Sequence, residues 1–229
     1  MKIGIFSDIH GNIYAFEEVI KKLAKEKTDL NIFCGDICGY YYYYNEVIEI
    51  LKKINNLVCV SGNHDDIFVR NVKKGVRPKE YIARYGNAYD IFRKNIKPNN
   101  LDFLIKLPSK HFIEKYKIAI FHGSPFNHLN SYVYPDDPLE DFKGLKYRYI
   151  FLGHTHYPMD RIVGKTRIIN PGSCGQPRDF NQSSFALLDI GRNRLSFKRV
   201  CYNSSALIKD ILKHKEKNSY LIDVLKRPK

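Results

Sequence analysis

Five short segments carry side chains that bind divalent cations, and each sits where an apolar run gives way to a polar loop. Asp8 and His10 follow KIGIFS, Asp36 follows LNIFCG, and Asn63 and His64 follow LVCVSG. His122 follows KIAIF, and His154 and His156 follow YIFLG. Taken singly, each has a structural explanation: Asp8 or Asp36 as a cap or Asx turn, Asn63 as a turn residue, a lone histidine as a satisfied core group. Caps need no histidine, so the joint pattern at five separate strand ends reads as metal binding. Asp8 and His10 flank a single residue, and alternation along extended backbone sends two such side chains the same way, ~6–7 Å apart. Carboxylate and imidazole donors without cysteine suit borderline or hard divalent ions: Mn, Fe, Zn, Ni or Co.

The elements that must position these groups follow from the apolar pattern. Residues 2–7 read as a strand, and residues 13–27 place Ile13, Phe16, Val19, Ile20 and Leu23 at helical spacing. The unit recurs: LNIFC (30–34) precedes a helix from Glu46 to Ile54, and LVCVS (57–61) precedes a third loop. Such alternation implies parallel strands with right-handed crossovers, and ligand sites beyond their carboxyl ends. Segment 66–107 carries no strand signal and reads as helices rich in Tyr, Lys and Arg, forming a cap or flanking layer. Beyond it, HFIEKY, KIAIFHG, YRYIFLGH, TRIINPGS, SFALLDI and RLSFKRV are short β-prone runs, which predict a second sheet packed on the first. The tail, 204–229, has apolar residues at helical spacing with a basic face, and is expected to close the domain. With 229 residues, 44% of them hydrophobic, one domain over 1–229 is expected.

The motifs DIHGN (8–12), GD (35–36), GNHD (62–65), HG (122–123) and GHTH (153–156), in this order, resemble the calcineurin-like metallophosphoesterase superfamily. NPGSCGQPRD (170–179) is similar to the small prokaryotic phosphodiesterase branch. The resemblance implies an α/β fold, a four-layer αββα sandwich of two mixed sheets flanked by helices. It implies that Asp8, His10 and His156 bind one divalent ion, that Asn63, His122 and His154 bind another, and that Asp36 bridges the two. Two ions ~3.5–4 Å apart generate hydroxide from a shared water at neutral pH and clamp an in-line displacement at phosphorus. The implied reaction is phosphoester hydrolysis without a protein nucleophile, with manganese among the candidate ions. Asn63 contributes a neutral oxygen, which leaves the site positive enough to hold a phosphate. His64, directly after a ligand, is assigned as the general acid that protonates the leaving alkoxide. Asp65 is the candidate to orient it, and Arg178 the candidate to grip a substrate phosphate through its fork of donors.

The sequence departs from the protein Ser/Thr phosphatase branch, in which the GD segment continues to an Asp and an Arg that orient this histidine and grip phosphate. Here GDICGYYYYY puts Gly39 and Tyr40 in those places, and GNHD replaces GNHE. The departures weaken a protein-phosphatase reading, and together with the basic charge and the tyrosine run they favour phosphodiesters, nucleotide-derived ones among them, over phosphomonoesters or phosphoproteins. A non-catalytic metal-binding scaffold on this fold is the alternative of a different class, although all eight motif positions are filled. The net charge of +14 suits a polyanionic partner, a nucleotide or nucleic acid, while a dispersed basic surface also serves solubility. The run Tyr40 to Tyr44 has two readings, a stacking platform for bases or half-buried filler at a helix start. Cys34, Cys38, Cys59, Cys174 and Cys201 are scattered and contain no CxxC pair, so a reducing cytoplasmic setting is expected. Asp8 interrupts the first apolar stretch and no apolar run approaches the ~20 residues of a membrane span, so neither a signal peptide nor a membrane partner is expected. His111, His128 and His214 fall outside the motifs and are given no role.

Overall fold

The computed structural model describes residues 1–227, so the last two residues of the expected tail lie outside the described residues. In chain order the first half contains β1 (Lys2–Phe6), α1 (Ile13–Lys25), β2 (Leu30–Phe33), α2 (Tyr44–Leu51) and β3 (Leu57–Cys59). Four helices follow: α3 (Asn63–Lys73), α4 (Lys79–Tyr85), α5 (Ala88–Asn95) and α6 (Pro98–Lys106). The second half runs β4 (Lys110–Ile113), β5 (Ile118–Phe121), β6 (Tyr149–Phe151), β7 (Pro158–Val163), β8 (Thr166–Pro171), β9 (Ser183–Asp189) and β10 (Arg194–Val200). It ends in α7 (Ser204–Lys213) and α8 (Tyr220–Asp223).

Two mixed five-stranded sheets result, in the orders β10-β9-β1-β2-β3 and β4-β5-β6-β8-β7. In the first, β1, β2 and β3 are parallel, as the strand–helix alternation predicts, and β9 joins β1 antiparallel. In the second, β5, β6 and β8 are parallel, with β4 and β7 antiparallel at the edges. Side chains alternate across each strand and thereby fix the layers. Ile3, Ile5 and Ile32 face Ile118, Ile120, Tyr149 and Phe151 between the sheets. Phe6, Phe33 and Phe185 point the other way and pack against the helices.

The α/β sandwich is the expected one, and its outer layers are unequal. Helices α1 to α8 all contribute to the cluster on the first sheet, where 66–107 forms a flanking layer through Phe68, Tyr81, Tyr89, Phe92 and Leu104. The outer face of the second sheet is covered by Val133, Leu139 and Phe142 from the long connection between β5 and β6, which holds one 3-10 turn at Glu140–Phe142. Strand β7 has no counterpart among the β-prone runs read from the sequence. It is an edge strand beginning at Pro158, with Asp160 and Ile162 exposed, and so lacks a buried-strand signature. Helix α1 starts where Asn12 accepts the Ala15 amide at 3.2 Å, an N-cap that fits its amphipathic 13 residues. Among the described residues no helix is long and apolar enough to cross a membrane.

Candidate metal centre

The parallel strands of both sheets end at one edge of the sandwich, and the loops leaving them are tied together by backbone hydrogen bonds. Asp8 N donates to Gly35 O at 2.9 Å, Ile9 N to Asp36 O at 2.9 Å, and Gly153 N to His122 O at 2.9 Å. The loop after β8 crosses from one sheet to the other and braces the same place. Cys174 N and Gly175 N donate to Ser7 O and Asp8 O, each at 2.9 Å. NPGSCGQPRD is thus both a connection and a support. Its Cys174 thiol is buried, and burial raises its pKa, so it is no nucleophile.

Asp8, His10, Asp36, His154 and His156 all have positive φ, from 53° to 70°. Left-handed backbone costs a non-glycine residue ~1–2 kcal/mol, and strain of this kind gathers where function fixes the chain. This corrects the reason given above for the convergence of Asp8 and His10: the backbone there is not extended. Left-handed turns aim the side chains inward, and His10 Nε2 comes within 3.7 Å of Asp8 Oδ1.

The convergence extends to the whole set. Ligand-type atoms of Asp8, His10 and His156 lie within 4.8 Å of one another, as do those of Asp36, His122 and His154, and those of His10, Asp36 and His64. Asn63 Oδ1 lies 3.0 Å from His122 Nε2, beside the second group. Asp36 stands between the groups. Its Oδ1 accepts the His64 amide at 2.9 Å, while Oδ2 lies 3.7 Å from His10 Nε2 and 3.2 Å from His122 Nε2.

Backbone carbonyls fix the histidine tautomers. His10 Nδ1 donates to Cys38 O at 2.9 Å, His122 Nδ1 to Cys34 O at 2.8 Å, and His156 Nδ1 to Gln176 O at 2.6 Å. A carbonyl only accepts, so each ring carries a proton on Nδ1, and a neutral ring turns the lone pair of Nε2 inward. His10 Nε2 and His156 Nε2 then face each other at 3.0 Å, and His154 Nε2 and Asp36 Oδ2 are buried without a hydrogen-bond partner. Buried acceptors left facing one another are costly, and cations between them would satisfy the set. These residues fit the divalent ions that the motifs imply.

The charges agree. Burial lowers His10 and His154 to about 3, and His156 well below its ordinary value. Burial raises Asp8 to about 7, with His122 pulling it down and Asp36 pushing it up. Burial opposes charge on His122 and Asp36 too, yet each favours the ion in the other, so His122 rises to about 9 and Asp36 stays well below the carboxylate range.

His64 opens α3 beside these groups. Its Nδ1 is hydrogen-bonded to the Tyr81 hydroxyl, 17 residues on in α4. A phenol both donates and accepts, so Tyr81 holds the ring whether Nδ1 carries a proton or not. The orienting contact expected of Asp65 is absent. The Asp65 carboxylate accepts the backbone amides of Asp36 at 3.0 Å, Cys38 at 2.8 Å and Gly62 at 3.0 Å, and so pins the β2 loop to the start of α3. Gly39 shows why the GD segment carries no orienting acid: a Cβ there would lie 2.3 Å from His10 Nδ1, at φ +137°.

His64, Asp36, His154 and His156 line a cleft of about 270 Å³ together with Tyr40, Arg84, Tyr85, Tyr132, Tyr134 and Arg178. A larger groove of about 500 Å³, between Leu23 and Ile54, contains none of the cluster. Arg178 Nη2 lies 3.4 Å from the Tyr40 hydroxyl, and its Nε is buried without a partner. The tyrosine run divides. Tyr41, Tyr42 and Tyr44 are core, and only Tyr40 reaches the cleft, packed edge-on to His10 at 4.6 Å. His111 lies in β4, His128 packs on Phe121, and His214 packs on Tyr42, all outside the cluster.

Comparison with known proteins places the chain in a family. Residues 1–193 match the calcineurin-like phosphoesterase superfamily domain, and the chain belongs to that superfamily. An uncharacterised protein of Methanocaldococcus jannaschii is 33% identical over 239 residues, covering 93% of each chain. Phosphodiesterase YfcE of Escherichia coli is 24% identical over 199 residues, 82% of this chain and 88% of that one. The crystal structure of a metallophosphoesterase from Sphaerobacter thermophilus superposes with a TM-score of 0.83 at 26% identity, over 98% of each chain.

Tyr81, Arg84 and Tyr85 escaped the sequence reading. Their spacing, EYIARY in α4, puts all three on one helical face, which is the only signal the sequence offers.

Proposed function

We propose that the protein hydrolyses phosphodiesters, nucleotide-derived ones among them, at two divalent ions held by the seven converging side chains. The observation that carries this reading is Asp36 Oδ2, buried, without a hydrogen-bond partner and set between the two histidine-bearing groups. Asp8, His10 and His156 would hold one ion, Asn63, His122 and His154 the other, and Asp36 both. When bound, such a pair lowers the pKa of a shared water and offsets charge on phosphorus-bound oxygens. His64 acts from the far side of its Tyr81 hydrogen bond. Burial, with the charges of His122, Arg178 and Arg84, holds the ring at about 4 against the pull of Asp36, and an anionic phosphate in the cleft supplies the charge that favours the imidazolium. In that form Nε2–H protonates the leaving oxygen while Nδ1–H donates to Tyr81. Arg178 supplies a fixed cation for substrate phosphate. The five free cysteines fit a reducing cytoplasm.

Matched aryl phosphate esters test the reading: the diester should turn over faster than the monoester of the same phenol. Faster monoester turnover would make the protein a phosphatase instead.

Metal binding should also depend on pH with a defined sign. His122, raised to about 9, must lose its proton before Nε2 can bind an ion, and Asp8, raised to about 7, must ionise. Apparent metal affinity should therefore rise about tenfold per pH unit between 7 and 9, more steeply below 7, and level off above 9. Calorimetric titration with Mn(II) in buffers of different ionisation enthalpy reads the released protons. Affinity independent of pH from 6 to 9 would show that neither His122 nor Asp8 carries a proton there in the metal-free protein.

A further inference from the structure

Next to the cleft lies a second cavity, of about 320 Å³, lined by Tyr40, Arg84, Tyr85, Arg178 and Tyr220. The first four of these also line the cleft, so two guanidinium groups stand at the boundary between the two spaces. Neither is committed elsewhere. Among the described residues the arginines that pair with carboxylates are Arg70, Arg77, Arg167, Arg192 and Arg199. Arg178 has the Tyr40 hydroxyl at 3.4 Å and an Nε buried without any partner. Arg84 lies over the Tyr85 ring at 5.1 Å, a contact that leaves its five N–H donors available. A mostly buried cation with no counter-charge, beside a second cation, is an arrangement that an anion stabilises.

The donor inventory says which anion. Two guanidinium forks with the hydroxyls of Tyr40, Tyr85 and Tyr220 offer more donors than a carboxylate can accept, and they match the several oxygens of a phosphoryl group. The phosphoryl group at the metal centre would have Asp36, His154 and His156 around it, and these line the cleft but not the second cavity. We propose that Arg84 and Arg178 form a second phosphate subsite, so that preferred substrates carry a further phosphoryl group besides the one at the metal centre. The inference rests on reading that centre as a phosphoester site, and it narrows the substrates to compounds with two separated phosphates.

Calorimetric titration of the Mn(II)-supplemented protein with thymidine 5′-monophosphate and thymidine 3′,5′-bisphosphate tests it. The bisphosphate should bind about tenfold more tightly or better, as expected for added charge-assisted hydrogen bonds. In Arg84→Gln that ratio should fall to about threefold or less. Arg84 is an exposed residue of α4, so the variant should fold, which circular dichroism checks. Equal affinities in the unaltered protein, or a ratio that survives Arg84→Gln, would overturn the subsite. The two readings fail separately. A protein that hydrolyses no aryl phosphate ester yet prefers the bisphosphate keeps the subsite and loses the catalytic role, and active protein without the preference does the reverse.

Discussion

Asp36→Asn should lower phosphodiester hydrolysis by about three orders of magnitude, some 4 kcal/mol of barrier, and should empty both halves of the metal centre together. The carboxylate has divided duties. Oδ1 accepts the His64 amide at 2.9 Å, and Oδ2 faces His10 and His122 with no hydrogen-bond partner. An asparagine can keep the first contact through its oxygen, and it then turns an NH2 group toward the place where cations would lie. It also removes the negative charge that stabilises the His122 imidazolium, so His122 should titrate lower. Fold disruption should be slight, because the shape is unchanged and the amide bond partner survives. Metal content per chain by atomic emission, beside initial rates, checks the expectation. A variant that retains two ions would show that Asp36 does not bridge.

His64→Ala should leave metal content intact and lower the rate about a hundredfold to a thousandfold, in the range of general acid catalysis. The loss should grow as the leaving group becomes poorer, so that an alkyl phosphodiester suffers more than a nitrophenyl one, whose phenolate leaves without a proton. Tyr81→Phe deletes only the hydroxyl on Nδ1, and should show the same leaving-group trend at about tenfold loss. Equal losses on both esters in His64→Ala would remove the acid role and leave His64 a purely electrostatic one. Asp65 variants should behave differently again, because its carboxylate braces backbone amides and not the ring.

The cluster was legible because each member follows a strand whose apolar run is local in sequence, and because parallel strands end at one edge. The strand–helix units around β1 to β3 were legible for the same reason. What the sequence hid is long-range or conformational. Adjacency suggested Asp65 as the partner of His64, whereas tertiary packing brings Tyr81 from a helix that showed only composition. The left-handed turns at Asp8 and His10 are set by backbone bonds to Gly35 and Asp36, which no local pattern reveals. The tyrosine run could not be divided into core and cleft without the helix start, two residues earlier than read, that buries Tyr44 and leaves Tyr40 beside His10. Strand β7 was missed because an exposed edge strand needs little apolar alternation.

The most direct test of the central claim is the initial rate on an aryl phosphodiester after chelation of divalent ions, followed by single additions of Mn, Ni, Co or Zn with bound metal counted. Stripping should leave a negligible rate, and recovery should saturate at two ions per chain. Full activity in stripped protein, or two bound ions with no hydrolysis of any phosphate ester, would contradict that claim.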